Sequence, residues 1–168
     1  SWLGWLYVYF KEFEKAEISA RRALELLENH PFGILVLGWT YLHKKQYRQA
    51  IATHEKLPRD HSFYKAMLAY TYVQTGRKEK ATALWNEVEE ESKEHWVNPF
   101  DRSMMAGMLG NTDQAFELIN EACDHKYYPT NHIDVIIPYV EFLRDDPRYN
   151  KLFEKMNLPF NRALYTAQ

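Results

Sequence analysis

The sequence is poor in the residues on which several protein classes depend. Among its 168 residues there is one cysteine, Cys123, so no internal disulfide can form, which is typical of a reducing compartment and argues against secretion. The 6 glycines are scattered along the chain, and none of them forms the glycine-rich loop that binds phosphates. The sequence therefore excludes a disulfide scaffold and a phosphate-loop enzyme.

Neither sign of charge is in large excess, and long hydrophobic runs are missing. The chain has 21 Lys and Arg against 23 Asp and Glu, so the formal net charge is -2 and no direct contact with nucleic acid is expected. An apolar run covers residues 1–10 and ends at Lys11, well short of the roughly 20 residues of a membrane helix. It also lacks the basic start of a signal peptide. We expect a cytoplasmic protein without membrane contact.

Core-forming residues are abundant. Hydrophobic residues make up 46% of the chain and aromatic residues 15%, which is too many for a disordered protein. A chain of this length is long enough to bury a sizeable core in one domain or one short repeat array.

Four segments of the chain repeat the same pattern. They align on four alanines, separated by 34, 31 and 34 residues: Ala16, Ala50, Ala81 and Ala115. Nine residues earlier stand Tyr7, Tyr41, Tyr72 and Ala106. Twelve residues earlier stand the small residues Gly4, Gly38, Ala69 and Ser103, and seven residues later stand Ala23, Leu57, Val88 and Ala122. Small residues at matching positions let two helices approach closely, and stacked pairs of helices then complete the core.

This pattern resembles the tetratricopeptide repeat (TPR), a pair of antiparallel helices in about 34 residues. The resemblance implies an all-α, right-handed α-solenoid of four repeats, which acts as a protein-binding scaffold without catalysis. The first helices of the pairs are predicted at 1–12, 32–44, 62–75 and 98–109, and the second helices at 14–29, 47–56, 78–94 and 113–126.

The repeats divide the chain into predicted segments. The repeats cover 1–30, 31–58, 59–94 and 95–127, an irregular crossing with capping helices covers 128–159, and 160–168 form a tail. Pro58 shortens the second repeat and explains its 31-residue interval. The first repeat starts partway through its pattern, so we expect the natural chain to continue upstream.

A second resemblance involves the later part of the chain. Residues 138–149, which read PYVEFLRDDPRY, and residues 152–159, LFEKMNLP, are similar to the end of bacterial TPR modules. Those modules close multidomain signalling proteins and transcriptional regulators, which implies a C-terminal regulatory role in the bacterial cytoplasm. A last helix is predicted from Asp146 and Pro147, with an apolar stripe of Tyr149, Leu152, Phe153 and Met156.

In the family, the first helices line a concave groove that binds peptides. The residues that directly follow the small residues of the repeat would form an apolar ladder in this groove, which we call the aromatic ladder: Trp5, Trp39, Tyr70 and Met104. One turn further on, the predicted groove includes Val8, Tyr9, Leu42, His43, Val73 and Gln74. Large, rigid side chains suit an apolar or aromatic peptide partner. Packing of the same ladder in the core is an equally good interpretation.

The sequence also bears on functions other than the binding of an apolar peptide. The carboxylate clamp of chaperone-binding TPR proteins needs Lys, Arg and Asn, but the matching stretch offers Leu35, Trp39, Ala66 and Tyr70. The module could instead sense a small effector for an upstream catalytic or DNA-binding domain, or associate with itself as a homodimer.

Catalysis has little support in the sequence. Asp60, His61 and Ser62 are neighbours and cannot adopt triad geometry, so they are better interpreted as a turn with a helix cap at Asp60 or Ser62. Cys123, His125 and His132 could hold a metal, but they lack a recognised ligand spacing. We expect no enzyme activity, no metal and no cofactor.

Overall fold

A computed structural model describes residues 2–125 and 141–157, and within these residues every regular element is helical. The predicted all-α class is therefore confirmed. The α-helices are α1 (Trp2–Tyr9), α2 (Phe13–Leu26), α3 (Pro31–His43), α4 (Tyr47–His54), α5 (Ser62–Gln74), α6 (Lys78–Glu94), α7 (Pro99–Met108), α8 (Thr112–Asp124) and α9 (Arg148–Lys155). A 3-10 turn covers Glu141–Leu143. The bounds predicted for α1 to α8 agree with these to within three residues.

Local capping explains where several helices begin. Pro31 and Pro99 stand at the first helical position of α3 and α7, where a missing N–H is harmless. The side chain of Asn98 accepts a hydrogen bond from the N–H of Phe100 at 3.0 Å. The cap of α5 was predicted at Asp60 or Ser62, but it is His61, whose Nδ1 accepts from the N–H of Phe63 at 3.2 Å.

The start of α9 also differs slightly from the prediction. Pro147 takes the cap position, one residue later than expected, and Arg148 is the first helical residue. The carboxylate of Asp146 still accepts a hydrogen bond from the N–H of Arg148 at 2.9 Å. Tyr149, Leu152 and Phe153 of the predicted apolar stripe are buried.

The same turn closes the first helix of every pair. Of the five described residues with a positive φ, one is Asn157, after α9, and four recur at the spacing of the sequence repeat: Lys11, Lys45, Gly76 and Gly110. At each one, the next residue donates a backbone hydrogen bond to the carbonyl five residues earlier, as from Glu12 to Tyr7 at 2.8 Å. This is the Schellman motif, which satisfies the last carbonyls of a helix. The internal repetition thus extends to backbone geometry.

The chain divides into two compact units, Ser1–His95 and Trp96–Gln168. In the first unit each helix from α1 to α6 packs against the next, and α3 also packs against α1 and α5. In the second unit α8 packs against both α7 and α9. The four alanines that define the repeat are fully buried within their units.

Some predicted segments lie outside the described residues. These are the irregular crossing at 128–138, the first residues of the helix predicted from Pro138, and the tail at 160–168. The 3-10 turn at Glu141–Leu143 is the described part of that predicted helix, and Leu143 within it is fully buried.

Candidate functional site

The predicted aromatic ladder is partly buried within the chain. Trp5 and Trp39 stack on each other, with ring centroids 4.5 Å apart and an interplanar angle of 16°. Trp39 is only 3% exposed, and Val8 is also buried. Met104 is fully buried inside the second unit. These four residues are therefore available to a partner only in small part, and they belong largely to the core.

The other predicted site residues are accessible. Tyr9, His43 and Gln74 are exposed, whereas Leu42, Tyr70 and Val73 are half-buried. His43 and Leu42 come from the end of α3, and Tyr70, Val73 and Gln74 from the second half of α5. Apart from Tyr9, which lies on α1, the accessible part of the predicted groove thus lies on two helices that contact each other.

A cavity of about 220 Å³ opens between these helices. Its lining consists of Trp39, Leu42, His43, Lys45, Tyr47, Tyr70 and Gln74. Five of these residues were predicted for the groove from the sequence. Lys45 and Tyr47 were not, because they belong to the turn and to the start of α4, while the prediction considered only the first helix of each pair. We call this cavity the α3–α5 pocket.

His43 forms one wall of the α3–α5 pocket and is held by two rings. The Phe13 ring stacks on its imidazole with centroids 5.0 Å apart and an interplanar angle of 14°, and the Trp39 ring meets it edge-on at 6.2 Å. Although the residue as a whole is exposed, partial desolvation of its imidazole lowers the pKa of His43, and the positive charge of Lys11 lowers it further. Both effects favour the neutral imidazole, which offers one hydrogen-bond donor and one acceptor.

Lys45 is the one charged residue in the lining of the α3–α5 pocket. Its φ of 58° places it in the Schellman turn between α3 and α4, and its side chain is exposed. A cation beside aromatic walls favours a ligand that carries a carboxylate next to an apolar group.

A buried histidine supports the helices behind the α3–α5 pocket. His54 of α4 contacts the carbonyl of Leu35 through Nε2 at 3.0 Å and the hydroxyl of Thr71 through Nδ1 at 2.5 Å. Because a carbonyl only accepts, Nε2 carries the proton and Nδ1 accepts from the Thr71 hydroxyl, whose oxygen also lies 3.1 Å from the carbonyl of Met67. Complete burial lowers the pKa of His54 to about 4. One neutral ring thus joins α3, α4 and α5.

The residues considered for catalysis have structural roles or lie apart. His61 caps α5. Cys123 is buried with its Sγ 3.5 Å from Met156 Sδ, and burial raises the pKa of its thiol to about 11. His132 lies outside the described residues. Across residues 2–125 and 141–157, no three His, Cys, Asp or Glu side chains are grouped so that they could hold a metal ion.

A membrane-spanning helix is likewise not found: of the helices in the described part of the chain, none is both long and apolar enough to cross a bilayer.

No protein-family model, curated protein or solved structure matches the chain. The likeness to the TPR family therefore stays a prediction, and the function must be argued from the geometry of the site.

Proposed function

We propose that this chain is a TPR α-solenoid that binds a protein or peptide partner, and that the α3–α5 pocket accepts one apolar or aromatic side chain of that partner. The observation that carries the proposal is the pocket itself, which brings together five residues predicted for the groove. Ligand pockets for whole small molecules measure roughly 300–1,000 Å³. At about 220 Å³, the α3–α5 pocket suits a single side chain better than an entire effector.

The repeated backbone geometry supports the solenoid part of the proposal. The Schellman turns recur at the spacing of the sequence repeat, and the small residues at the matching positions Gly38, Ala69 and Ser103 are buried. Each helix of the first unit also packs against its sequence neighbour. Such nearest-neighbour packing is typical of helical repeat proteins.

The lining of the pocket indicates the chemistry of the partner. Tyr47 and Tyr70 offer accessible aromatic surface beside the largely buried Trp39, and the neutral imidazole of His43 adds hydrogen-bonding capacity without charge. Lys45 then favours a carboxylate close to the inserted side chain. The partner motif is therefore an aromatic or large aliphatic residue next to Asp or Glu. The likeness of residues 138–159 to bacterial signalling modules suggests a regulatory setting for this binding.

A peptide array tests the proposal. Peptides that present Phe, Tyr, Trp or Leu beside Asp or Glu are compared with the same peptides carrying Lys, and the best binder is then titrated by fluorescence anisotropy. We expect Tyr70→Ala and Lys45→Ala each to weaken binding at least fivefold. Tyr64→Ala, a half-buried aromatic position on the same helix but outside the pocket, is the matched control.

Two results would contradict the proposal. Equal affinity of the Tyr70→Ala variant and the unchanged chain would remove the pocket from the binding surface. A concentration-dependent dimer in sedimentation that disappears with Tyr70→Ala would assign the pocket to self-association. Trp39 is not a useful test position, because it is buried against Trp5 and its replacement would disturb the fold.

A further inference from the structure

One groove position of the repeat is a glycine in α7 and a larger apolar residue in α1, α3 and α5. Four residues after the small residue of each repeat stand Val8, Leu42, Val73 and Gly107. Leu42 lines the α3–α5 pocket. Because glycine is unfavourable in the interior of a helix, its place in α7 indicates a close packing contact.

The ring of Phe142 occupies the space beside Gly107. A Cβ atom built on Gly107 would overlap three atoms of that ring, Cε2, Cδ2 and Cζ. The 3-10 turn Glu141–Leu143, which carries the ring, contacts α7, and Leu143 within the turn is fully buried. Both elements belong to the second unit. The surface of α7 that corresponds to the Leu42 wall of the α3–α5 pocket is thus covered by an aromatic side chain of the chain itself.

The sequence around Phe142 matches the partner motif proposed for the α3–α5 pocket. That motif is an aromatic or large aliphatic residue next to Asp or Glu. Residues 141–146 read EFLRDD, so a glutamate directly precedes Phe142 and two aspartates follow within four residues. The chain therefore holds a copy of the motif, and the aromatic residue of this copy lies on a groove position of a later repeat.

We infer that the surface of α7 at Gly107 is a second binding site for the partner motif, and that Phe142 closes this site in the unbound chain. The ligand of both sites is a peptide with the order acidic residue, aromatic residue and leucine, as in Glu141–Leu143. Since both sites take the same motif, this rests on the proposed function of the α3–α5 pocket. A tethered occupant competes at a high effective concentration, so a peptide binds at α7 only in the fraction of chains from which the ring has left.

A peptide copied from the chain tests the motif. The labelled peptide VEFLRDD, which has the sequence of residues 140–146, is titrated with the chain and followed by fluorescence anisotropy. We expect saturable binding that Tyr70→Ala in the chain weakens at least fivefold, because the α3–α5 pocket is the open site. Within the peptide, Phe142→Ala and Glu141→Lys should each weaken binding at least fivefold.

The methyl group of Met108 reports on the α7 site, because Met108 is half-buried and follows Gly107 directly. In NMR spectra of chains with ¹³C-labelled methionine methyl groups, the peptide should shift the Met108 resonance of the Phe142→Ala chain. The natural chain should show no such shift at a peptide concentration that saturates the α3–α5 pocket. Asp145→Ala, an exposed position of the same segment, is the matched control and should behave like the natural chain.

A second substitution shows whether the peptide takes the place of the ring. Adding Gly107→Leu to the Phe142→Ala chain should abolish the Met108 shift, because the leucine fills the space from which the ring was removed. Circular dichroism checks that these variants keep their helices. If Phe142→Ala lowers the helix content, the natural chain is titrated to millimolar peptide instead, and Met108 should then shift in a second, weaker phase.

The possible failures separate this second site from the proposed function. If VEFLRDD does not bind to a chain that binds other aromatic and acidic peptides, the motif copy is rejected and the α3–α5 pocket keeps its function. If no such peptide binds, both proposals are rejected. A Met108 resonance that the bound peptide leaves in place, in the Phe142→Ala chain or in the millimolar titration, would show that Phe142 only packs against α7.

Discussion

The ring of His54 fills the space left by the missing side chain of Gly38. A Cβ atom built on Gly38 would lie 2.2 Å from two atoms of that imidazole. The ring has no room to move aside, because hydrogen bonds to Leu35 and Thr71 hold both of its nitrogens. The close approach of α3 and α4 therefore depends on both Gly38 and His54, and a substitution at either position alone is expected to lower stability.

Gly38→Ala is expected to destabilise the protein by about 2 kcal/mol, since overpacking of a tight core costs ~1–3 kcal/mol. Helix propensity alone would predict the opposite effect, a gain in stability of about 1 kcal/mol when alanine replaces a helical glycine. The free energy of unfolding, measured by urea denaturation, decides between these two expectations. Gly33→Ala is the matched control, because its Cβ would meet the flexible Leu24 side chain at 3.2 Å and the Cβ of Ala23 at an ordinary contact distance of 3.5 Å. A stabilised Gly38→Ala variant would show that the ring can shift.

The neutral state of His54 makes stability depend on pH. Its pKa is about 4 in the folded chain and close to 6.5 when unfolded, so the unfolded state binds the extra proton between these values. His54 contributes on the order of 3 kcal/mol to the free energy of unfolding. This contribution is fully present above pH 6.5 and is lost as the pH falls from 6.5 to 4. Denaturation curves for the natural chain and His54→Gln should converge over this range. Parallel curves would contradict the prediction.

Two lysines occupy turn positions that favour glycine. Lys11 and Lys45 have φ values of 60° and 58° at the turns where the later pairs have Gly76 and Gly110. A left-handed conformation costs a residue with a side chain roughly 1 kcal/mol. Lys11→Gly should therefore raise the free energy of unfolding by up to about 1 kcal/mol.

Gly76→Ala provides the reverse experiment. Its Cβ would meet no atom within 4 Å, so any loss of stability comes from the backbone alone, and we expect about 1 kcal/mol. If both substitutions left the unfolding free energy unchanged, backbone strain would not limit these turns.

Removal of either charge from the ion pair of Lys65 and Glu91 should lower the free energy of unfolding, but by different amounts. The side chain of Lys65 is 5% exposed and that of Glu91 is 48% exposed. Glu91→Gln leaves a buried cation without its carboxylate and is expected to cost about 2 kcal/mol, whereas Lys65→Met leaves a carboxylate that water can solvate and costs less. Lys93→Met, which breaks an exposed pair with Glu90, should cost under ~0.5 kcal/mol. Equal decreases in the free energy of unfolding for Glu91→Gln and Lys65→Met, measured by urea denaturation, would contradict this prediction.

Cys123 should be nearly inert in the folded protein. A thiol pKa of about 11, raised by burial from 9.0, reduces the thiolate fraction about a hundredfold. Reaction with a chromogenic disulfide at pH 8 should therefore be at least a hundredfold slower in the native state than in urea. A cysteine placed at the exposed position 125, in a Cys123→Ala background, should react quickly in both states. Fast native labelling of Cys123 would show that α9 does not protect it.

The sequence alone determined the helices and their order. Proline at the start of α3 and α7 and the spacing of alanine, tyrosine and small residues act over distances of a few residues, so their effect can be interpreted without the fold. The same pattern also located α5 and most of the lining of the α3–α5 pocket. It did not indicate that Lys11 and Lys45 adopt left-handed conformations, because lysine rarely does so.

Only the tertiary structure decided which predicted site residues remain open to a partner. Trp39 and Tyr70 occupy equivalent repeat positions, yet Trp39 is buried under the stacked ring of Trp5, while Tyr70 is half-exposed. Burial depends on side chains that arrive from helices tens of residues away, and a repeat pattern along the chain does not specify which of those side chains fill the space.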